Sequence, residues 1–159
     1  MVSGATSDGH RLPSPRRVLP PVRPAWLGLI WVGGSLGTAL RAWLENNLGP
    51  PPGQWPWLTL WINIGGSLIL GVVLQALAMT GPDRGWRRGA RLCVGTGLLG
   101  GFTTYGTFSV EVVHLFRSGD WLVAMGYALV SVVGGVLAAV AAICAVSRLA
   151  RWWRGRGSR

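Results

Sequence analysis

Four apolar stretches, Ala25 to Trp43, Trp55 to Met79, Leu92 to Phe116 and Trp121 to Val146, dominate the chain. Each reaches or approaches the roughly 20 residues that a helix needs to cross about 30 Å of hydrocarbon. Half of the 159 residues are apolar and 13% are charged, a balance unlike that of an ordinary soluble domain. Trp26, Trp43, Trp55, Trp57, Trp121, Trp152 and Trp153 gather near the ends of these stretches, where amphipathic rings settle at the headgroup level. The pattern predicts an all-α membrane protein with four transmembrane helices per subunit.

The connections follow from helix-stopping residues. Pro50, Pro51 and Pro52 close the first, Gly81-Pro82-Asp83 opens the second, and Phe116 to Asp120 is short enough to make the last two stretches an antiparallel hairpin. Residues 1–24 carry five prolines and four arginines and no apolar run of signal-peptide length, so they read as a disordered basic tail. Residues 25–146 form the transmembrane domain, and residues 147–159 a second basic tail.

A net charge of +10 raises the question of nucleic acid, and Arg151-Trp152-Trp153-Arg154 would suit an RNA-binding patch. The placement of the arginines favours membrane topology instead. Of the 15 basic residues, all but Arg41 and Arg117 lie before the first stretch, between the second and third, or after the fourth, which is one side of the membrane. By the positive-inside rule both termini of this multi-pass membrane protein are expected in the cytoplasm.

Nothing in the sequence supports enzymatic chemistry. Cys93 and Cys144 both fall in apolar stretches without a metal-ligand spacing, and read as small packing residues. His10 and His114 lack partners, no serine sits in a nucleophile-elbow pattern, and the five acidic residues, Asp8, Glu45, Asp83, Glu111 and Asp120, do not pair in sequence.

The informative residues are polar ones inside the apolar stretches, where burial is costly unless they face inward or line water. Gly100 to Ser109 crowds glycines, hydroxyls and aromatics into the middle of the third stretch and predicts a helix broken at membrane depth. In hydrocarbon, irregular backbone survives only where it lines a path or binds something with its own carbonyls, which points to an ion pathway. Thr59 and Asn63 share a face of the second stretch, and Tyr127 and Ser131 a face of the fourth. Asn63 offers amide donors to a bound ion, with an interhelical hydrogen bond as its competing role. Gly33 with Gly37, Ser67 with Gly71, and Gly97 with Gly101 make small-xxx-small faces, suited to tight bundle packing or to dimerisation.

Taken in order, these residues resemble the bacterial Fluc (CrcB) fluoride channels. The resemblance is carried by Gly33-Gly34-Ser35-Leu36-Gly37 with Arg41, by Thr59 to Asn63 with Gly66-Ser67 and Gly71, and above all by Gly100 through Glu111. It covers roughly Ala25 to Val146. It implies an antiparallel dimer of four-helix subunits with the third helix broken, passive fluoride export that lowers cytoplasmic fluoride, and a central structural sodium ion. It further implies that the backbone carbonyls of Gly100 and Thr103 hold the sodium, and that Asn63 donates to fluoride. Tyr105 and Phe108 would turn ring edges to the ion, Thr59, Thr107, Tyr127 and Ser131 would continue a hydroxyl track, and Arg41 would draw anions to a pore mouth.

Two positions depart from the family's usual Thr-Thr-Phe-Ser-Thr-Phe run: Tyr105 stands for the first phenylalanine and Gly106 for serine. The rival functions are a small four-helix proton-coupled multidrug exporter and a non-conducting partner subunit of a heterodimeric fluoride channel. The exporter needs an ionisable acid in its first helix, and Ala25 to Trp43 holds only Arg41. The one-sided arginine distribution fixes a single orientation, so the expected assembly is a heterodimer with a homologous chain of opposite topology.

Overall fold

The computed structural model describes residues 24–51 and 54–156, and every regular element among them is helical. In chain order these are α1 (Pro24–Leu48), α2 (Trp57–Thr80), α3 (Trp86–Ala90), a π-helical run π1 (Arg91–Leu99), α4 (Gly100–Phe102), α5 (Tyr105–Arg117) and α6 (Trp121–Arg156). The expected N-terminal tail, with His10 and the arginines up to Arg23, lies outside the described residues, as does Arg159.

Three helices, α1, α2 and α6, are long and apolar enough to cross a membrane. The third apolar stretch is a chain of pieces: α3, π1 and α4 run to Phe102, the backbone opens, and α5 resumes at Tyr105. Helix α1 runs on to Leu48, the third stretch is helical from Trp86, and the largest difference from the sequence boundaries is at the end of α6. Instead of ending at Val146, α6 continues through Arg156 into the basic segment. Ser147 to Arg154 contains neither proline nor glycine, and its arginines, leucine and alanine are good helix formers, so nothing stops the helix there.

The bundle is held by direct backbone contact. A Cβ on Gly33 would collide with the Cys93 carbonyl oxygen, one on Gly37 with that of Leu98, and one on Gly101 with that of Gly34. A Cβ on Gly97 would stand 2.7 Å from the Ile30 carbonyl oxygen. The glycine faces that could have served either bundle packing or dimerisation are therefore spent within the subunit, pressing α1 onto π1 and α4. The face of Ser67 and Gly71 is used likewise against α6, where a Cβ on Gly71 would lie 2.8 Å from the Ala139 oxygen and one on Gly135 3.3 Å from Ser67 Oγ.

The loops obey their punctuation. Gly81 ends α2 with φ +134°, a conformation that side chains resist, and Gly119 turns between α5 and α6 with φ +88°. Between α2 and α3 an Arg87 guanidinium donates to the Thr80 carbonyl, and Asp83 accepts from Arg91 Nη2 at 2.7 Å. That hydrogen bond, aided by the charges of Arg91 and Arg88, holds the Asp83 carboxyl below the usual carboxylate range. Outward, large apolar side chains such as Trp31, Trp61, Leu129 and Leu137 stay exposed, as a lipid-facing surface requires.

The seam between α1 and π1 yields a direct test. Gly33→Ala must push backbone against backbone, whereas Gly28→Ala on the same helix meets nothing within 4 Å. Thermal unfolding in detergent is expected to show a marked loss for the first and little change for the second; equal behaviour would contradict the packing described.

Candidate functional site

The break is a local consequence of its residues. Gly100 and Gly101 weaken the helix, by up to about 1 kcal/mol each relative to alanine, and the two β-branched threonines that follow accept extended backbone readily. Thr103 has φ −72° and ψ 150°, and Thr104 has φ −137° and ψ 125°. Thr104 then serves as the N-cap of α5, its Oγ1 accepting the Thr107 N–H at 3.1 Å.

Opening the helix redirects its hydrogen bonds. In an unbroken helix the Thr104 N–H would meet the Gly100 carbonyl and the Thr107 N–H that of Thr103. Here the first donates to Asn63 Oδ1 at 2.9 Å and the second to Thr104 Oγ1. The carbonyls of Gly100 and Thr103 thus lose the donors that a continuous helix would supply. Gly101 offers its carbonyl to Thr38 Oγ1 and to Arg41 Nε, each at 3.4 Å.

Asn63, reaching across from α2, clasps the break. Its Oδ1 accepts the Thr104 N–H while its Nδ2 donates to the Thr104 carbonyl at 3.1 Å. Only one orientation of the amide satisfies both groups, so the assignment of its oxygen and nitrogen follows from the pairing. One amide hydrogen is spent on Thr104. The other meets no acceptor among the described residues, and Asn63 also lines a cavity.

That cavity, of about 270 Å³, brings together Asn63, Thr104, Tyr105, Phe108 and Ser131. Ser131 is 6% exposed, and its Oγ has no hydrogen-bond partner among the described residues. The ring of Phe108 lies 6.1 Å from that of Tyr105 and 5.5 Å from that of Tyr127. Tyr105 is 82% exposed on the outer face of the subunit, whereas Tyr127 is fully buried.

A second cavity, of about 460 Å³, holds Thr59, Thr107 and Glu111 with Glu45, His114 and Asp120 in its wall. Tyr127 stands between the two cavities, its ring against Phe108 and its hydroxyl donating to Glu111 Oε2 at 2.6 Å. Thr59 Oγ1 donates to the other oxygen of the same carboxylate, also at 2.6 Å. Along the expected hydroxyl track, Ser131 lines the smaller cavity beside the Tyr127 hydroxyl without closing a hydrogen bond to it, while Thr59 and Tyr127 turn their hydrogens to Glu111. Arg41 lines neither cavity. It reaches the break, where its Nη1 pairs with Glu45 at 3.0 Å and contacts Thr107 Oγ1 at 3.4 Å.

Glu111, Glu45 and Thr104 were missed as functional side chains by the sequence reading. Glu111 had a signal, being an acid inside an apolar stretch four residues after Thr107 on the same helix face. Glu45 had the same relation to Arg41. Among the described residues no cluster of three or more histidine, cysteine or acidic side chains could hold a metal.

Because Asn63 satisfies two backbone groups at the break, Asn63→Leu is expected to destabilise the fold as well as any path. Leaving the part-buried Thr104 N–H unpaired costs about 1–3 kcal/mol, while its carbonyl, as N-cap, still accepts from the first turn of α5. The apparent melting temperature in detergent should fall by roughly 2–12 °C; an unchanged value would mean that the clasp carries no weight.

Residues 28–143 match the family model described as CrcB-like protein, Camphor Resistance (CrcB). The chain is 46% identical over 124 residues to a protein of Cutibacterium acnes named fluoride-specific ion channel FluC 1, covering 78% of this chain and 87% of that one. It is 38% identical over 148 residues to fluoride-specific ion channel FluC 2 of Nocardia farcinica, covering 92% and 99% respectively. A third relative, fluoride-specific ion channel FluC of Hyphomonas neptunium, is 43% identical over 115 residues, 69% of this chain and 86% of its own. With the family model spanning residues 28–143 and relatives at least 38% identical over 69–92% of its length, the chain belongs to the CrcB family.

Proposed function

We propose that this membrane protein is a fluoride channel subunit that lets fluoride leave the cell passively. The relatives' names support the ion, and the smaller cavity supports the chemistry. Its carrying observation is Ser131: a hydroxyl 6% exposed, beside the Tyr127 hydroxyl but with no hydrogen bond within 3.5 Å among the described residues, on the wall of a cavity shared with Asn63 and Phe108. A buried polar group without a partner is costly unless something occupies the space before it. Ser131 and the second amide hydrogen of Asn63 are donors without net charge. The edges of Phe108 and Tyr105 add weak positive potential. Such a lining suits a small anion that must exchange water for several donors at once, and it offers no fixed cation that would hold the ion in place.

The series α3, π1, α4 and α5 would make the fourth membrane crossing. The Gly100 and Thr103 carbonyls, deprived of their helical donors, suit a hard cation, and we assign them to a structural sodium ion shared with a second subunit. The exposure of Tyr105 fits a surface that another subunit covers, in an antiparallel dimer. The arginine asymmetry favours one orientation in the bacterial cell membrane, with both termini cytoplasmic, and so favours a homologous partner of opposite topology. Among rival functions, proton-coupled export draws no support here, since Glu45 is paired with Arg41 and Glu111 is engaged by Thr59 and Tyr127.

Efflux from liposomes tests the reading. Fluoride is expected to leave without chloride and without a proton gradient, weakly from this chain alone and fully when it is reconstituted with a homologue of opposite arginine bias. Equal chloride and fluoride efflux, or strict dependence on a proton gradient, would overturn the channel; full flux from this chain alone would overturn the unlike pairing.

A further inference from the structure

The larger cavity presents an electrostatic contradiction for an anion path. Its wall holds Glu45, Glu111 and Asp120, and its one possible cation is His114. Arg41, a fixed positive charge in contact with Glu45 and Thr107 of this wall, is neutralised by its pairing. Arg41 Nη1 donates to both oxygens of Glu45, at 3.1 Å and 3.0 Å, and the pair is largely withdrawn from solvent, with side chains 19% and 27% exposed. Thr107, at the start of α5, joins the pair by donating to Glu45 Oε1 at 3.4 Å.

We infer that Glu45 is a rate-setting residue for anion passage: by neutralising Arg41 it leaves the larger cavity net negative and slows anions that traverse it. The inference rests on the fluoride-channel reading. The path from the smaller cavity continues past Tyr127, which touches Phe108 on one side and Glu111 on the other, into the space that Glu45 borders. An anion there meets carboxylate potential that a bare Arg41 would offset. Across roughly 7–8 Å of a water-filled cavity, one unit of charge alters local ion concentration by about two- to threefold. Glu45 does not touch the ion in this account; it acts through Arg41.

Glu45→Gln removes the charge and keeps an acceptor oxygen for Arg41 and Thr107, which separates electrostatics from support of the helix break. The experiment measures fluoride efflux from liposomes, using the assembly that carries wild-type flux, at about 10 mM and about 1 M ionic strength, where the screening length is about 30 Å and 3 Å. Wild-type flux should rise with salt. Glu45→Gln should exceed wild type about two- to threefold at low salt and match it at high salt, with an unchanged melting temperature. Should that variant fail to assemble, Asp120→Asn removes the same unit of charge from the same wall, away from the break, and is expected to act in the same direction. Flux that ignores salt, or variants equal to or slower than wild type at low salt, would overturn the inference while leaving the channel intact. Absence of fluoride flux from any wild-type assembly would instead remove the reading beneath it.

Discussion

The clasp of Asn63 on Thr104 is the interaction on which the rest of the site depends. A helix opened within an apolar layer leaves backbone groups that lipid cannot satisfy, at several kcal/mol apiece. One side chain on α2 accepts the orphaned Thr104 N–H at 2.9 Å and adds a second donor, at 3.1 Å, to the carbonyl that begins α5. With Thr104 held extended, its hydroxyl is placed to cap α5, and the carbonyls of Gly100 and Thr103 are left without helical donors. The open strand, the cap and the two unclaimed carbonyls are thus one structure seen from three sides.

Rigid placement of that structure comes from the glycine seam. Gly33, Gly37, Gly97 and Gly101 bring α1 against π1 and α4 with no side chain between the backbones. Close approach puts Thr38 and Arg41 of α1 within reach of the Gly101 carbonyl, and Arg41 carries Glu45 with it to Thr107. Packing and polar chemistry are therefore coupled: a larger residue in the seam would move the groups that hold the break.

Much of this was legible in the sequence because it rests on local chemistry. Gly100 to Ser109 announced an open helix by low helix propensity in a membrane-length stretch, and Gly81-Pro82 and the Phe116 to Asp120 link fell where the turns are. What stayed hidden depends on neighbours distant along the chain. The amide of Asn63 could be read as polar and inward, but its partner lies 41 residues away and only the fold joins them. Glu111 was visible as an acid in an apolar segment, yet its engagement of Thr59 and Tyr127 requires α2, α5 and α6 to converge. The family resemblance gives Arg41 its anion-attracting role, and its pairing with Glu45 one helical turn on depends on both rotamers. The continuation of α6 past Val146 was missed because falling hydropathy marks the end of a membrane span and not the end of a helix.

Amide hydrogen exchange, read residue by residue in detergent or lipid nanodiscs, tests the clasp most directly. If Asn63 satisfies the break, the Thr104 N–H is protected in the wild-type protein and exchanges at least about tenfold faster in Asn63→Ala, while the Thr107 N–H, still capped by Thr104 Oγ1, keeps its protection. Equal Thr104 exchange in the two proteins would contradict the account.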